Sequence, residues 1–132
     1  MQNYEIRDIS LAPLGTQKIE WVRNNMPLLR GFEEEFLKTK PFKGIKISLS
    51  VHLEAKTAYL CLVLAAGGAD MSITGSNILS TQDDITAALA AKGLKVFAYH
   101  EATNEEYIRH IEMCLSHKPN IVIDDGADLV CF

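Results

Sequence analysis

The sequence predicts an α/β domain with a Rossmann-like three-layer arrangement: a parallel sheet of about four strands, preceded by an N-terminal helical region. Three observations predict it. Four short runs rich in apolar and β-branched residues, 44–51, 70–74, 95–99 and 120–124, alternate with stretches of helical periodicity. Each intervening stretch is long enough for the crossover that parallel neighbours require. The chain of 132 residues, 48% apolar and 23% charged, fits one soluble domain able to bury a core without disulfides or a structural metal. Residues 1–40 are expected to form the helical region and 41–132 a β-α-β-α-β-α-β unit.

In the helical region, Ile19, Val22, Met26, Leu29 and Phe36 recur at steps that suit one helical face between Thr16 and Lys38. Pro27 interrupts them. It removes an amide donor and disfavours helix at Met26, so a kink or two short helices is expected, ending at Lys38-Thr39-Lys40-Pro41. Gly44 to Val51 reads as the first strand, and Ala55 to Ala66, apolar on nearly every face, as a buried helix closed by Gly67-Gly68. Asp70 to Thr74 reads as the second strand and Gly75 to Leu79 as a loop. Ser80 with Asp83 resembles a capping box for a helix whose core face is Ile85, Ala88 and Leu89 and whose end is Gly93. Lys95 to Tyr99 is the third strand. Thr103 with Glu106 forms another capping box, opening a helix through about His117 with Tyr107, Ile111, Cys114 and Leu115 on its buried stripe. His110 and His117 are expected at its solvated surface. Pro119 ends that helix, and Asn120 to Asp124 is expected as a short buried strand leading to Asp125-Gly126-Ala127-Asp128.

Composition excludes several roles. A net charge of −4 gives nucleic acid no electrostatic reason to bind, and no apolar run is long enough to span a membrane. The first eight residues have neither a basic start nor an apolar core, so a secretory signal is not expected and the location reads as cytoplasmic. Cys61, Cys114 and Cys131, odd in number and set in apolar runs, read as reduced, buried thiols rather than bridges or metal ligands. No Gly-x-Gly-x-x-Gly or Walker lysine loop occurs, so no cofactor-binding residue is assigned in this segment, and none to a metal.

The candidate chemistry follows from topology. Ligands of open α/β sheets bind outside the carboxyl ends of the strands, at the point where strand order reverses. With the order 3-2-1-4, that point falls between the first and fourth strands and sets His52 across one crevice from Asp125. An imidazole exchanges protons near neutral pH, and either Asp124 or Asp125 supplies a carboxylate beside it. The same residues also read as a helix-start histidine and a turn-forming Asp-Gly. Glu54 and Lys56 read either as a first-turn acid with a solvated lysine, or as groups that meet the polar edge of a ligand, carboxylate to donors and ammonium to acceptors.

With these residues assembled, the chain resembles the N-terminal, substrate-binding part of the adenosylhomocysteinase (S-adenosylhomocysteine hydrolase) family. The resemblance rests on Ile6-Arg7-Asp8-Ile9-Ser10-Leu11-Ala12, Glu20-Trp21, Met26-Pro27, Lys40-Pro41-Phe42-Lys43-Gly44, Ser80-Thr81-Gln82-Asp83-Asp84 and Asp124-Asp125-Gly126-Ala127-Asp128-Leu129. It implies reversible cleavage of a small-molecule nucleoside thioether, S-adenosylhomocysteine, to adenosine and homocysteine, by transient oxidation of the ribose with NAD in the parent enzyme. It further implies His52 and Asp125 as catalytic residues, Glu54, Lys56, Thr57 and Asn77 as substrate-binding residues, the Ser80 to Asp83 segment as lining or supporting the pocket, and a homo-oligomeric parent. Many members carry Thr where this chain has Glu54 and Glu where it has Lys56. The Glu-x-Lys-Thr form resembles archaeal and some thermophilic bacterial members, which opens S-inosylhomocysteine as a substrate. The family's chain is about three times longer, as a multidomain enzyme. The NAD-binding domain is therefore expected on a missing domain or chain, with no cofactor on this one alone. A non-catalytic nucleoside-binding or interaction module is the rival reading.

Overall fold

The computed structural model describes residues 4–131. Met1 to Asn3, which entered the reading of the N-terminus, lie outside them. The strands β1 (Lys46–Val51), β2 (Asp70–Gly75), β3 (Lys95–Val96) and β4 (Ile121–Asp124) form one parallel sheet in the order β3-β2-β1-β4, the order expected from sequence. Among the described residues the helices are α1 (Ala12–Asn24), α2 (Pro27–Thr39), α3 (Ala55–Ala66), α4 (Asp83–Ala91), α5 (Asn104–Leu115) and α6 (Asp128–Cys131), with a 3-10 turn at Ile9–Leu11. The fold is the three-layer α/β arrangement.

Strand alternation decides which helix covers which face. In β1, Ile47 and Leu49 point into one core with Met71 and Ile73 of β2, beneath Tyr59 and Val63 of α3 and Ile85 and Leu89 of α4. Ile19 and Val22 of α1 join the same core, so α1 and α2 form the outer shell of that side. The opposite face is polar. Ser48, Ser50, Ser72 and Thr74 are all buried there under α5. Ser48 Oγ donates to the Cys114 carbonyl (2.7 Å), Cys114 Sγ to the Ser72 carbonyl (3.1 Å) and Thr74 Oγ1 to the Phe97 carbonyl (2.7 Å).

Pro27 acts as expected: it begins α2 at a position where no amide partner is needed. Lys40 then ends α2 in the left-handed conformation, with φ 49°. At Gly15, α1 lies so close to α4 that a Cβ would stand 1.9 Å from the Asp84 carbonyl oxygen. The adjacent Lys18–Asp84 ion pair (2.6 Å) ties the same two helices.

Several expectations need correction. The third strand is only two residues long, and just beyond it Phe97 pairs with Glu5 of the N-terminal segment in a parallel bridge. Glu5 N donates to the Val96 carbonyl (2.8 Å) and Ala98 N to the Glu5 carbonyl (3.0 Å). β4 is not buried: it is an edge strand whose Ile121 and Val122 are exposed. Cys61 and Cys114 are buried free thiols, Cys61 pushed up to about 12 by burial, but Cys131 is exposed. His110 is 2% exposed rather than solvated, packed edge-on against Tyr99 (4.7 Å between centroids) with Nε2 3.7 Å from Glu5 Oε2. His117 is half-buried, its Nε2 2.7 Å from Ser48 Oγ. Burial lowers the pKa of both histidines, with Glu5 opposing at His110 and Asp70 at His117. Burial works to raise the Glu5 carboxyl, but hydrogen bonds from Arg109 and Tyr99 hold it below its ordinary value. No described helix is long and apolar enough to cross a membrane.

Candidate active site

β1 ends at Val51 and the chain turns at His52-Leu53-Glu54 before α3 begins. β4, its neighbour in the sheet, ends at Asp124. Parallel pairing of Ser50 with Asp124 therefore brings the next residues of both strands to one lip of the sheet. His52 Nε2 lies 3.9 Å from Asp125 Oδ2, with about half of the imidazole (52%) and 40% of the carboxylate side chain open to solvent.

The two consecutive acids have separate jobs. Asp124 turns inward, its Oδ1 accepting from Gly126 N (3.0 Å) and its Oδ2 from Leu129 N (2.7 Å), which holds the turn and the start of α6. Asp125 is left facing His52. Nearby, the Tyr107 hydroxyl donates to Asp128 Oδ2, and burial together with that carboxylate raises the phenol well above its ordinary pKa.

Ser80 is not a helix cap. The cap position of α4 is Gln82, without a side-chain hydrogen bond. Ser80 Oγ instead sits 2.6 Å from His52 Nδ1 and within 3.1 Å of the Asn77 carbonyl. A hydroxyl has one proton to give. Where that proton goes to the Asn77 carbonyl, Oγ accepts from His52 Nδ1–H and the neutral imidazole carries its lone pair on Nε2, on the Asp125 side; where it goes to Nδ1, the ring instead directs Nε2–H toward Asp125. Sequence spacing pointed to the cap because Ser-x-x-Asp is its pattern. The signal for the actual role is Asn77: its Oδ1 accepts from Leu79 N (2.8 Å) in an Asx turn that presents the carbonyl to Ser80 and Thr81. Asn77 also lines a cleft of about 230 Å³ with Ser76, Ile78, Asn104 and Tyr107. Asp83, the other half of the expected box, accepts from His100 N (3.0 Å).

Glu54 caps α3. Its Oε1 accepts from both Thr57 N (3.0 Å) and Thr57 Oγ1 (3.2 Å), so Glu54 and the buried Thr57 face each other. Lys56 is exposed. Glu54 and Lys56 border a second opening, of about 310 Å³, together with Ala55 and with Lys18, Trp21 and Val22 of α1. The α3 N-terminus is where a dinucleotide fold would place pyrophosphate. Here the Glu54 carboxylate fills that position, so the residues of this turn do not fit a dinucleotide.

The structure thus groups the proposed site residues into two neighbouring sets joined by the His52-Leu53-Glu54 turn. His52, Asp125, Ser80 and Asn77 form one, and Glu54, Lys56 and Thr57 the other.

A sequence model of the S-adenosyl-L-homocysteine hydrolase family matches residues 3–132. The chain is 53% identical over 127 residues to the S-inosyl-L-homocysteine hydrolase of Methanocaldococcus jannaschii, covering 96% of this chain and 31% of that protein. It is 52% identical over 128 residues to the adenosylhomocysteinase of Pyrococcus abyssi, covering 97% and 30%. To the adenosylhomocysteinase of Gloeothece citriformis it is 49% identical over 127 residues, covering 96% and 30%. The chain spans about 30% of the length of the curated relatives it matches.

Proposed function

The chain belongs to the S-adenosyl-L-homocysteine hydrolase family, and from that premise we propose that it supplies the nucleoside-binding and proton-transfer side of an enzyme cleaving a nucleoside thioether to a nucleoside and homocysteine. The observation that carries this reading is the meeting of His52 and Asp125, 3.9 Å apart where strand order reverses. Thioether cleavage by elimination needs a base for a carbon-bound proton and an acid for the departing sulfur. An imidazole whose Nδ1–H is held by Ser80 offers an Nε2 lone pair to take the first proton. Once protonated, Nε2–H lies on the Asp125 side and is available to the sulfur. In this reading the NAD that oxidises the ribose is held by residues outside this chain.

The substrate is read as S-adenosylhomocysteine or its inosyl counterpart, and Glu54 with Lys56 is the pair that would tell them apart. Adenine presents an amine donor beside a ring acceptor, whereas hypoxanthine presents a carbonyl acceptor beside a ring N–H. One carboxylate and one ammonium match either edge, in opposite order. The inosyl alternative stands beside the adenosyl reading because the S-inosyl-L-homocysteine hydrolase of M. jannaschii and the adenosylhomocysteinase of P. abyssi are almost equally similar to this chain, at 53% and 52% identity.

Joining this chain to the remaining 70% of the P. abyssi relative, beyond the 30% that this chain covers, and following free thiol release from each thioether tests the proposal. Release is expected with at least one substrate, with His52→Ala and Asp125→Ala each slowing turnover by about 10²–10⁴-fold. A folded, NAD-loaded chimera that releases no thiol from either substrate would refute it.

A further inference from the structure

We propose that Trp21 forms a wall of the base-binding cleft, its indole stacking on the purine whose polar edge meets Glu54 and Lys56. The inference rests on the nucleoside reading above and adds a residue to it. The cleft of about 310 Å³ lies between α1 and the start of α3, at the lower end of the roughly 300–1,000 Å³ common for small-molecule sites. Trp21, the single tryptophan of the chain, is 66% exposed on its edge. The packing of α1 does not require that indole, because the core-facing positions of this helix are Gly15, Ile19 and Val22.

The rest of the cleft suits a flat heteroaromatic ring. Val22 and Ala55 give an apolar floor. Lys18, one turn before Trp21, is paired with Asp84 Oδ2 (2.6 Å) and Gln82 Oε1 (3.4 Å), so its ammonium already has partners. At the α3 end stand one carboxylate, with Oε1 committed to Thr57, and one exposed ammonium. A phosphate there would meet the Glu54 carboxylate, and an acyl chain would strip water from both charges without replacing it. A purine base uses the aromatic wall with its face and the two charges with its edge.

Because the chain has one tryptophan, its emission reports this cleft alone. Adenosine and inosine are titrated into the chain while binding is followed by calorimetry and by Trp21 emission. The emission is expected to change and saturate at the calorimetric midpoint for whichever nucleoside binds. Trp21→Ala is expected to weaken binding by about 5- to 150-fold, and Trp21→Phe to restore most of it. Leu14→Ala, another exposed apolar position of α1, is expected to leave affinity unchanged. Calorimetric binding with constant emission, or parental affinity in a folded Trp21→Ala, overturns the stacking role and leaves the nucleoside reading standing. Absence of binding by both nucleosides overturns the stacking role, while the nucleoside reading is decided separately by thiol release from the chimera.

Discussion

Replacing Ser80 by Ala should change which nitrogen of His52 carries the proton. In the native site Ser80 Oγ lies 2.6 Å from Nδ1 and donates to the Asn77 carbonyl (3.1 Å), so Nδ1–H is the tautomer that satisfies both contacts. Free imidazole side chains favour the proton on Nε2, and the Ser80 contact is what offsets that preference here. A net hydrogen bond contributes about 0.5–1.5 kcal/mol, so its loss should move the Nδ1–H to Nε2–H ratio by roughly 2- to 13-fold toward Nε2–H. Long-range nitrogen–proton correlation spectra read the tautomer of the neutral ring directly. The same shift withdraws the Nε2 lone pair from the Asp125 side, so the chimera carrying Ser80→Ala should lose turnover rate more than substrate affinity. Native His52 already protonated on Nε2, or a ratio unmoved by the substitution, would refute the hydrogen-bond assignment.

Gly15→Ala should destabilise the domain by at least the ~1–3 kcal/mol typical of overpacking, because its Cβ would sit 1.9 Å from the Asp84 carbonyl oxygen, a backbone atom that only helix separation can move; urea unfolding measures it, and an unchanged midpoint would contradict the α1–α4 contact. Acid should weaken the fold before any carboxylate titrates. His110 and His117 have pKa values lowered by burial, so above the unfolded value of about 6.5 both states are neutral, and below it the unfolded chain takes the protons first. Stability should therefore fall as pH drops through about 6.5, and His110→Gln should flatten that slope; a flat native profile down to about pH 5 would contradict it. Asp124→Ala should cost about 1 kcal/mol through loss of the α6 cap and also weaken the alignment of Asp125, seen as lost turnover in the chimera with both His52 and Asp125 intact. Glu54→Thr should keep α3 capped, with a melting temperature close to native, since threonine is itself a capping residue. It should nonetheless alter the ratio of adenosine to inosine affinity, and an unaltered ratio would confine Glu54 to the helix start.

What the sequence made legible was whatever depends on near neighbours. Pro27 split the helical region where expected, and Thr103 and Glu106 formed their capping box. The sheet order was reachable too, because right-handed crossovers leave few topologies for four parallel strands, and that order alone sets His52 beside Asp125. Contacts far apart in sequence stayed hidden. His110 looks polar on its own helix, and is buried because Glu5, 105 positions earlier by number, runs along β3 and brings Tyr99 and Arg109 around it.

Ser80 illustrates a different difficulty. Its spacing to Asp83 satisfies a local rule for helix starts, yet the helix begins at Asp83 and the hydroxyl serves a histidine 28 positions away. A capping motif states what a side chain can accept, whereas tertiary structure decides who asks first. Glu54 shows the converse: the bland reading as a helix-start acid is correct, and it is also why that carboxylate is oriented. Capping commits Oε1 to Thr57 and rejects a pyrophosphate, leaving the residue's second oxygen as its remaining acceptor at the cleft beside Lys56. Helix start and the proposed ligand selectivity are therefore not competing explanations of Glu54, because the first fixes the geometry on which the second would depend.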